Sequence, residues 1–117
     1  MGIQAVQHAV SERQGVTIVA LQGDIDLECS IEARRLLLGA VEGSDRIVVD
    51  LSGVTLLDSS GVASLLEAFQ AARRDGKPFV LAAVGDQAYR VLRLARLDSV
   101  FDMAGTVEAG IRQARQA

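Results

Sequence analysis

Side chains able to do chemistry are few in this chain, and they gather in two short stretches. In one, the hydroxyls of Ser59 and Ser60 follow the carboxylate of Asp58 and precede Gly61; in the other, Asp24, Asp26 and Glu28 alternate with apolar residues after Gly23. A serine becomes a nucleophile only when a base takes its proton. The single histidine, His8, lies far away in sequence in a stretch that reads as a weak strand, so it is taken as an ordinary edge-strand residue and Ser-His-Asp or Cys-His catalysis lacks its base. No residue is expected to be catalytic. Cys29 stands near a helix start, where a thiol pKa can fall, yet a lone cysteine reads more simply as a small packed hydrophobe. The acidic run has no accompanying histidine, no second cysteine, and none of the glycine and closing glutamate of a calcium loop, so no metal site is predicted. Nor is any cofactor: there is no glycine-lysine phosphate loop and no dinucleotide fingerprint. Asp58, Ser59 and Ser60 are all favoured where a helix begins and four backbone N–H groups lack partners, so capping alone accounts for them on local pattern.

The elements that must position these residues alternate in type. Residues 3–10 read as a weak first strand, 11–15 as a turn, and 16–22 as a β-branched strand ended by Gly23. From Ser30 the spacing becomes helical, with Ala33, Leu36, Leu37, Ala40 and Val41 on one stripe until Gly43-Ser44-Asp45. Ile47 to Leu51 is a short apolar run of the kind covered on both faces of a sheet, followed by a turn at Gly53. Val62, Leu65, Leu66 and Phe69 then define an amphipathic helix that starts at the serine pair and ends near Asp75-Gly76. Phe79 to Val84 is another continuous strand, Asp86 is placed to cap a third helix, Val100 to Met103 forms a last edge strand, and Thr106 caps a final helix. Strand and helix alternation predicts an α/β fold: one domain over residues 1–117, a mostly parallel sheet of four to five strands with an N-terminal hairpin strand, and about four helices.

Composition narrows the partners. The chain has 117 residues, half of them apolar, which suits one folded domain with an aliphatic core. A net charge of -3, only three Phe, one Tyr and no Trp oppose phosphate-backbone binding and base stacking, so direct nucleic-acid contact is not expected. The apolar runs are strand-sized, and the N-terminus shows neither a secretory pattern nor a myristoylation site, because Val6 stands where Ser or Thr is needed. A lone cysteine fits a reducing compartment. The expectation is a cytoplasmic protein without membrane insertion.

In open α/β sheets, sites gather at the carboxyl ends of the strands. Asp58 and Ser59 follow one strand, Asp24 and Asp26 follow its predicted neighbour, and the two acidic loops should meet at the same edge. With these segments in order, namely Gly23 to Asp26, Ile47 to Ser52, Leu57 to Gly61 with its helix, and Phe79 to Val84, the sequence resembles the STAS domain of anti-sigma factor antagonists along nearly its whole length. That resemblance implies a bacterial regulatory binding protein that is itself no enzyme. Unphosphorylated, it binds an anti-sigma factor serine kinase and frees the sigma factor; Ser59 is the residue the kinase phosphorylates, and a serine phosphatase resets it. Asp24, Asp26, Asp58, Ser60 and Gly61 are then the residues that line the phosphosite and meet the partner. The resemblance departs at Ala95-Arg96-Leu97, where family members commonly carry a glycine before the leucine. Arg90, Arg93 and Arg96 recur every three residues and read as a solvated face. Other STAS roles stay open, among them a stressosome subunit or the soluble partner of a lipid transporter, in which the serine is silent. An enzyme such as a nucleotide hydrolase would need a base and phosphate-binding groups that the sequence does not offer, and a plain structural domain would use Ser59 only as a cap.

Overall fold

The computed structural model describes residues 7–117; residues 3–6 of the predicted first strand lie outside them. Five strands, β1 (Gln7–Arg13), β2 (Val16–Ile25), β3 (Ile47–Leu57), β4 (Phe79–Ala82) and β5 (Asp102–Ala104), form one sheet whose spatial order equals their order in the chain. β1 pairs antiparallel with β2, and every later pairing is parallel. The fold is therefore the expected α/β architecture with an N-terminal hairpin. The hairpin loop is only Gln14-Gly15, both at positive φ (55° and 79°), so the predicted turn shrinks and β1 runs on to Arg13. Positive φ at both central residues matches the right-handed twist of the strands it joins.

Four helices cover the sheet: α1 (Leu27–Gly43), α2 (Ser59–Arg74), α3 (Asp86–Leu94) and α4 (Val107–Gln116). Strand alternation divides their duties. Val19, Leu21, Ile47, Val49, Leu51, Phe79 and Leu81 point to the face that α1, α2 and α3 bury, while Ile18, Val48, Val80 and Ala82 point to the face that α4 closes with Ile111 and Ala114. β3 is the central strand, and Ile47, Val48 and Val49 are fully buried, as a run apolar on both faces requires. The core is not purely aliphatic, for Phe69 meets Phe79 and Phe101 edge-on at centroid distances of 6.0 and 5.1 Å.

Several boundaries differ from the pattern reading. β2 does not end at Gly23 but continues to Ile25, and β3 does not turn at Gly53 but continues to Leu57. These extensions, mixed in polarity, pair with each other, Gly23 with Val54 and Ile25 with Leu57, across two register shifts. Backbone hydrogen bonds between the two strands thus hold a segment whose side chains are mostly exposed. α1 begins at Leu27, three residues before Ser30, because Asp26 caps it. Gly85, not Asp86, is the N-cap of α3, and no side chain caps that helix; Asp86 is its first residue. β4 stops at Ala82 and the last strand starts at Asp102. Thr106 caps α4 as expected, accepting from the Ala109 N–H.

Candidate functional site

The carboxyl ends of β2 and β3 lie side by side, and a helix starts immediately after each. The Ile25–Leu57 pairing sets the two caps level, and the Asp58 N–H donates to the Ile25 carbonyl at 3.4 Å. Asp26 caps α1, its carboxylate accepting from the Cys29 N–H at 3.3 Å. Asp58 caps α2 more fully: one oxygen accepts from the N–H groups of Ser60 (2.9 Å) and Gly61 (3.1 Å) and from the Ser60 hydroxyl (2.6 Å). The hydroxyl bond chiefly, with the backbone N–H groups of Gly61, Ser60 and Leu27, holds the Asp58 carboxyl below the usual carboxylate range against an opposing push from burial. Two helix N-termini therefore point out of one edge, each already carrying a carboxylate.

The two serines differ sharply. Ser60 is half-buried, and its hydroxyl is spent on Asp58. Ser59 is exposed in the first turn of α2, and its side chain makes no hydrogen bond to any described residue. Gly61 explains how closely this turn sits on the sheet: a Cβ there would stand 2.5 Å from the Ile25 carbonyl oxygen and 2.7 Å from Leu57 Cδ1. Only a residue without a side chain lets α2 start so near β2. Asp24 is placed differently from the other acids, exposed on β2 rather than in a loop, where its carboxylate accepts from the Thr55 hydroxyl of β3 at 2.6 Å. The structure thus joins Asp26, Asp58, Ser59, Ser60 and Gly61 at one junction and ties Asp24 to the adjoining strand pair.

α1 and α2 leave this edge in the same direction and stay in register. The Ser64 hydroxyl of α2 donates to the Ser30 carbonyl of α1 at 3.0 Å, and Arg34 pairs with Glu67 at 2.6 Å farther along. In its first turns α1 carries Leu27 and Ile31 outward, 74% and 66% exposed. The pattern reading did not single these two out, although both lie off the Ala33, Leu37 and Val41 stripe and were legible as unburied apolar residues. Also missed was Gln87 of α3, whose side-chain amide accepts from the Leu57 N–H (2.8 Å) and donates to the Leu57 carbonyl (3.0 Å). No local sequence pattern marks such a bond. Cys29 is not an activated thiol: burial first, then the Asp26 carboxylate, pushes its pKa up. His8 is an exposed residue of β1 opposite Leu21. Among the described residues no cluster of three or more His, Cys, Asp or Glu could hold a metal ion, and no helix is long and apolar enough to cross a membrane.

This arrangement has counterparts among known proteins. The chain is 28% identical over 92 residues to the intermembrane phospholipid transport system binding protein MlaB of Escherichia coli, covering 79% of this chain and 93% of that one. Its fold matches the crystal structure of an anti-sigma factor antagonist from Mycobacterium paratuberculosis with a TM-score of 0.86 at 24% identity, over 94% of both chains. It also matches the anti-sigma factor antagonist SpoIIAA in its unphosphorylated form (TM-score 0.78, 18% identity, 95% and 98% covered) and, from Bacillus, in its phosphorylated form (TM-score 0.71, 18% identity, 92% and 98% covered). At these identities the structural likenesses speak for the fold. The family itself follows from residues 7–110, from the start of β1 into α4, which match the STAS domain: the chain belongs to the STAS domain family.

Proposed function

We propose that this chain is an anti-sigma factor antagonist, a non-catalytic binding protein switched by phosphorylation of Ser59. One observation carries the reading: of two adjacent hydroxyls at the head of α2, that of Ser60 is committed to Asp58, while that of Ser59 is exposed and bonds to no described residue. A partner kinase supplies the chemistry, so Ser59 needs no base of its own. Unmodified, it is a small neutral group at the head of α2, and the neighbouring helix α1 exposes Leu27 and Ile31 in its first turns, apolar surface that a partner can use. A phosphate there adds roughly -1.5 to -2 charges next to the carboxylates of Asp58 and Asp26, and an interface closing over it must desolvate that charge. The free protein tolerates the phosphate, because the α2 N-terminus favours an anion by about 0.3–1 kcal/mol. A hundredfold loss of partner affinity needs only about 2.7 kcal/mol, within the reach of one misplaced dianion. Asp24, Asp26, Asp58, Ser60 and Gly61 are assigned here to shaping the phosphosite and its rim, over a single domain of residues 1–117, and a serine phosphatase is the enzyme that resets it.

The test is intact-mass analysis after incubation with the organism's anti-sigma kinases and ATP, with the modified residue mapped and binding measured for the parent and Ser59→Asp. One phosphate on Ser59 and at least tenfold weaker binding of Ser59→Asp are expected. A phosphate on Ser60, or equal binding of the two proteins, sinks the reading.

The likeness to MlaB favours a second role, that of a STAS subunit of a lipid transport system. In that case no kinase modifies Ser59, and the same exposed edge docks on a transporter component, which co-purification of the tagged protein from its native host would reveal.

A further inference from the structure

β3 is longer than the strand on its far side. β4 follows it only as far as the pairing of Ala82 with Asp50. At Ala83 the chain turns away in a left-handed conformation, φ 56°, and its N–H goes to Ala104. On its other side β3 remains paired with β2 up to Leu57, and Asp58 bonds to Ile25. The N–H and C=O of Leu57 therefore face the place a β4 residue would occupy if that strand continued. Gln87 fills it. Its amide offers one acceptor and one donor from the same carbon, in place of the C=O and N–H that a continued parallel β4 would supply from two of its residues, and both bonds are made at ordinary lengths of 2.8 and 3.0 Å.

From this geometry we infer that Gln87 is a positioning residue for Ser59. Its side chain serves as a one-residue surrogate strand that locks the β3–α2 junction and ties α3 to the phosphosite. Leu57 directly precedes Asp58, and Asp58 orients the first turn of α2 through Ser60 and Gly61. A junction clamped on both sides presents Ser59 in one place. A junction held only by β2 leaves the Leu57 carbonyl and N–H to find other partners, and the partner must then order the segment as it binds. The second half of this inference rests on Ser59 being the kinase's target.

The experiment replaces Gln87 with methionine, which keeps length and apolar contact but makes neither bond, and with glutamate, which keeps an acceptor but sets a carboxylate oxygen against the Leu57 carbonyl. Amide hydrogen exchange by NMR reads the clamp without any partner. In Gln87→Met the Leu57 amide should exchange roughly tenfold or more faster relative to the core amides of Val49 and Leu81. Phosphorylation kinetics read the consequence: KM for the variant should rise about tenfold while kcat stays within twofold, a split that a packing role, preserved by methionine, would not produce. Gln87→Glu should move both readouts in the same direction. Unchanged relative exchange at Leu57 in both variants overturns the clamp. Faster exchange with an unchanged KM overturns the positioning role. Should the parent itself take no phosphate on Ser59, the reading of the phosphosite fails, and the exchange data still decide whether Gln87 holds the junction.

Discussion

Replacing Gly61 by alanine tests how the β3–α2 junction is built. The added Cβ would meet the Ile25 carbonyl oxygen at 2.5 Å, Leu57 Cδ1 at 2.7 Å and Ile25 Cγ2 at 3.0 Å. The leucine methyl can rotate aside. The carbonyl cannot move cheaply, since it belongs to the strand that pairs with Leu57 and accepts from the Asp58 N–H. Relief must come from lifting the first turn of α2 off the sheet, and strain of this kind costs about 1–3 kcal/mol. Alanine regains part of that through its better helix propensity, up to about 1 kcal/mol over glycine. Gly39 supplies the matched control: it lies inside α1, and a Cβ there meets nothing within 4 Å. Gly39→Ala should therefore stabilise by about 0.5–1 kcal/mol, whereas Gly61→Ala should destabilise by about 1–2 kcal/mol. Urea titrations with equal m-values separate the two cleanly. If Gly61→Ala proves as stable as Gly39→Ala, the close approach of α2 to β2 is not the reason for glycine at this position.

Three further outcomes follow from other details. The Asp58 carboxyl is held below its ordinary pKa in the folded protein, so its contribution is present above the unfolded value near 3.9 and is lost as pH falls through the folded value. Below about pH 4 the parent should therefore lose stability more steeply than Asp58→Asn, as followed by circular dichroism during acid titration. Arg96 ends the turn after α3 at φ 61°, with Leu97 N–H reaching back to the Leu92 carbonyl, a helix ending that favours glycine. Arg96→Gly should accordingly raise stability by about 0.5–1 kcal/mol in a thermal melt, the relief of left-handed strain outweighing glycine's extra chain entropy. Lys77 donates to the Val41 carbonyl at 2.6 Å and so caps the end of α1, which has no basic residue in its own last turn. Lys77→Met should lower the urea midpoint, by an amount corresponding to about 1 kcal/mol.

Elements with a strong periodic pattern were legible in the sequence. The apolar run from Ile47 sits in the centre of the sheet, and Val62, Leu65 and Phe69 face the core from α2. The junction was legible only in part. Asp58, Ser59 and Gly61 announce a helix start by type, but the extensions of β2 to Ile25 and β3 to Leu57 are mixed in polarity, and they are strands because they pair with each other. That pairing is long-range, and it alone brings Asp26 level with Asp58. Gln87 was invisible for the same reason, since its partner lies 30 residues away and is backbone, which carries no side-chain code. Where the resemblance leads one to expect a glycine before Leu97, the sequence carries Arg96. In fact the backbone keeps the left-handed turn, and Arg96 bears the strain.

The strand order β1-β2-β3-β4-β5 also bears on how the protein is made. During synthesis each strand emerges to find its neighbour already present at the growing edge, and none has to be inserted between two that have formed. The hairpin can close first, and each βα unit then adds to it from the ribosome outward. The two faces do not mature together. α1, α2 and α3 cover theirs stepwise as they appear, but Ile18, Val48, Val80 and Ala82 are covered by α4, made after β5. Until Ile111 and Ala114 arrive, a nearly complete sheet carries one bare apolar side, and that nascent form is the one a chaperone would meet.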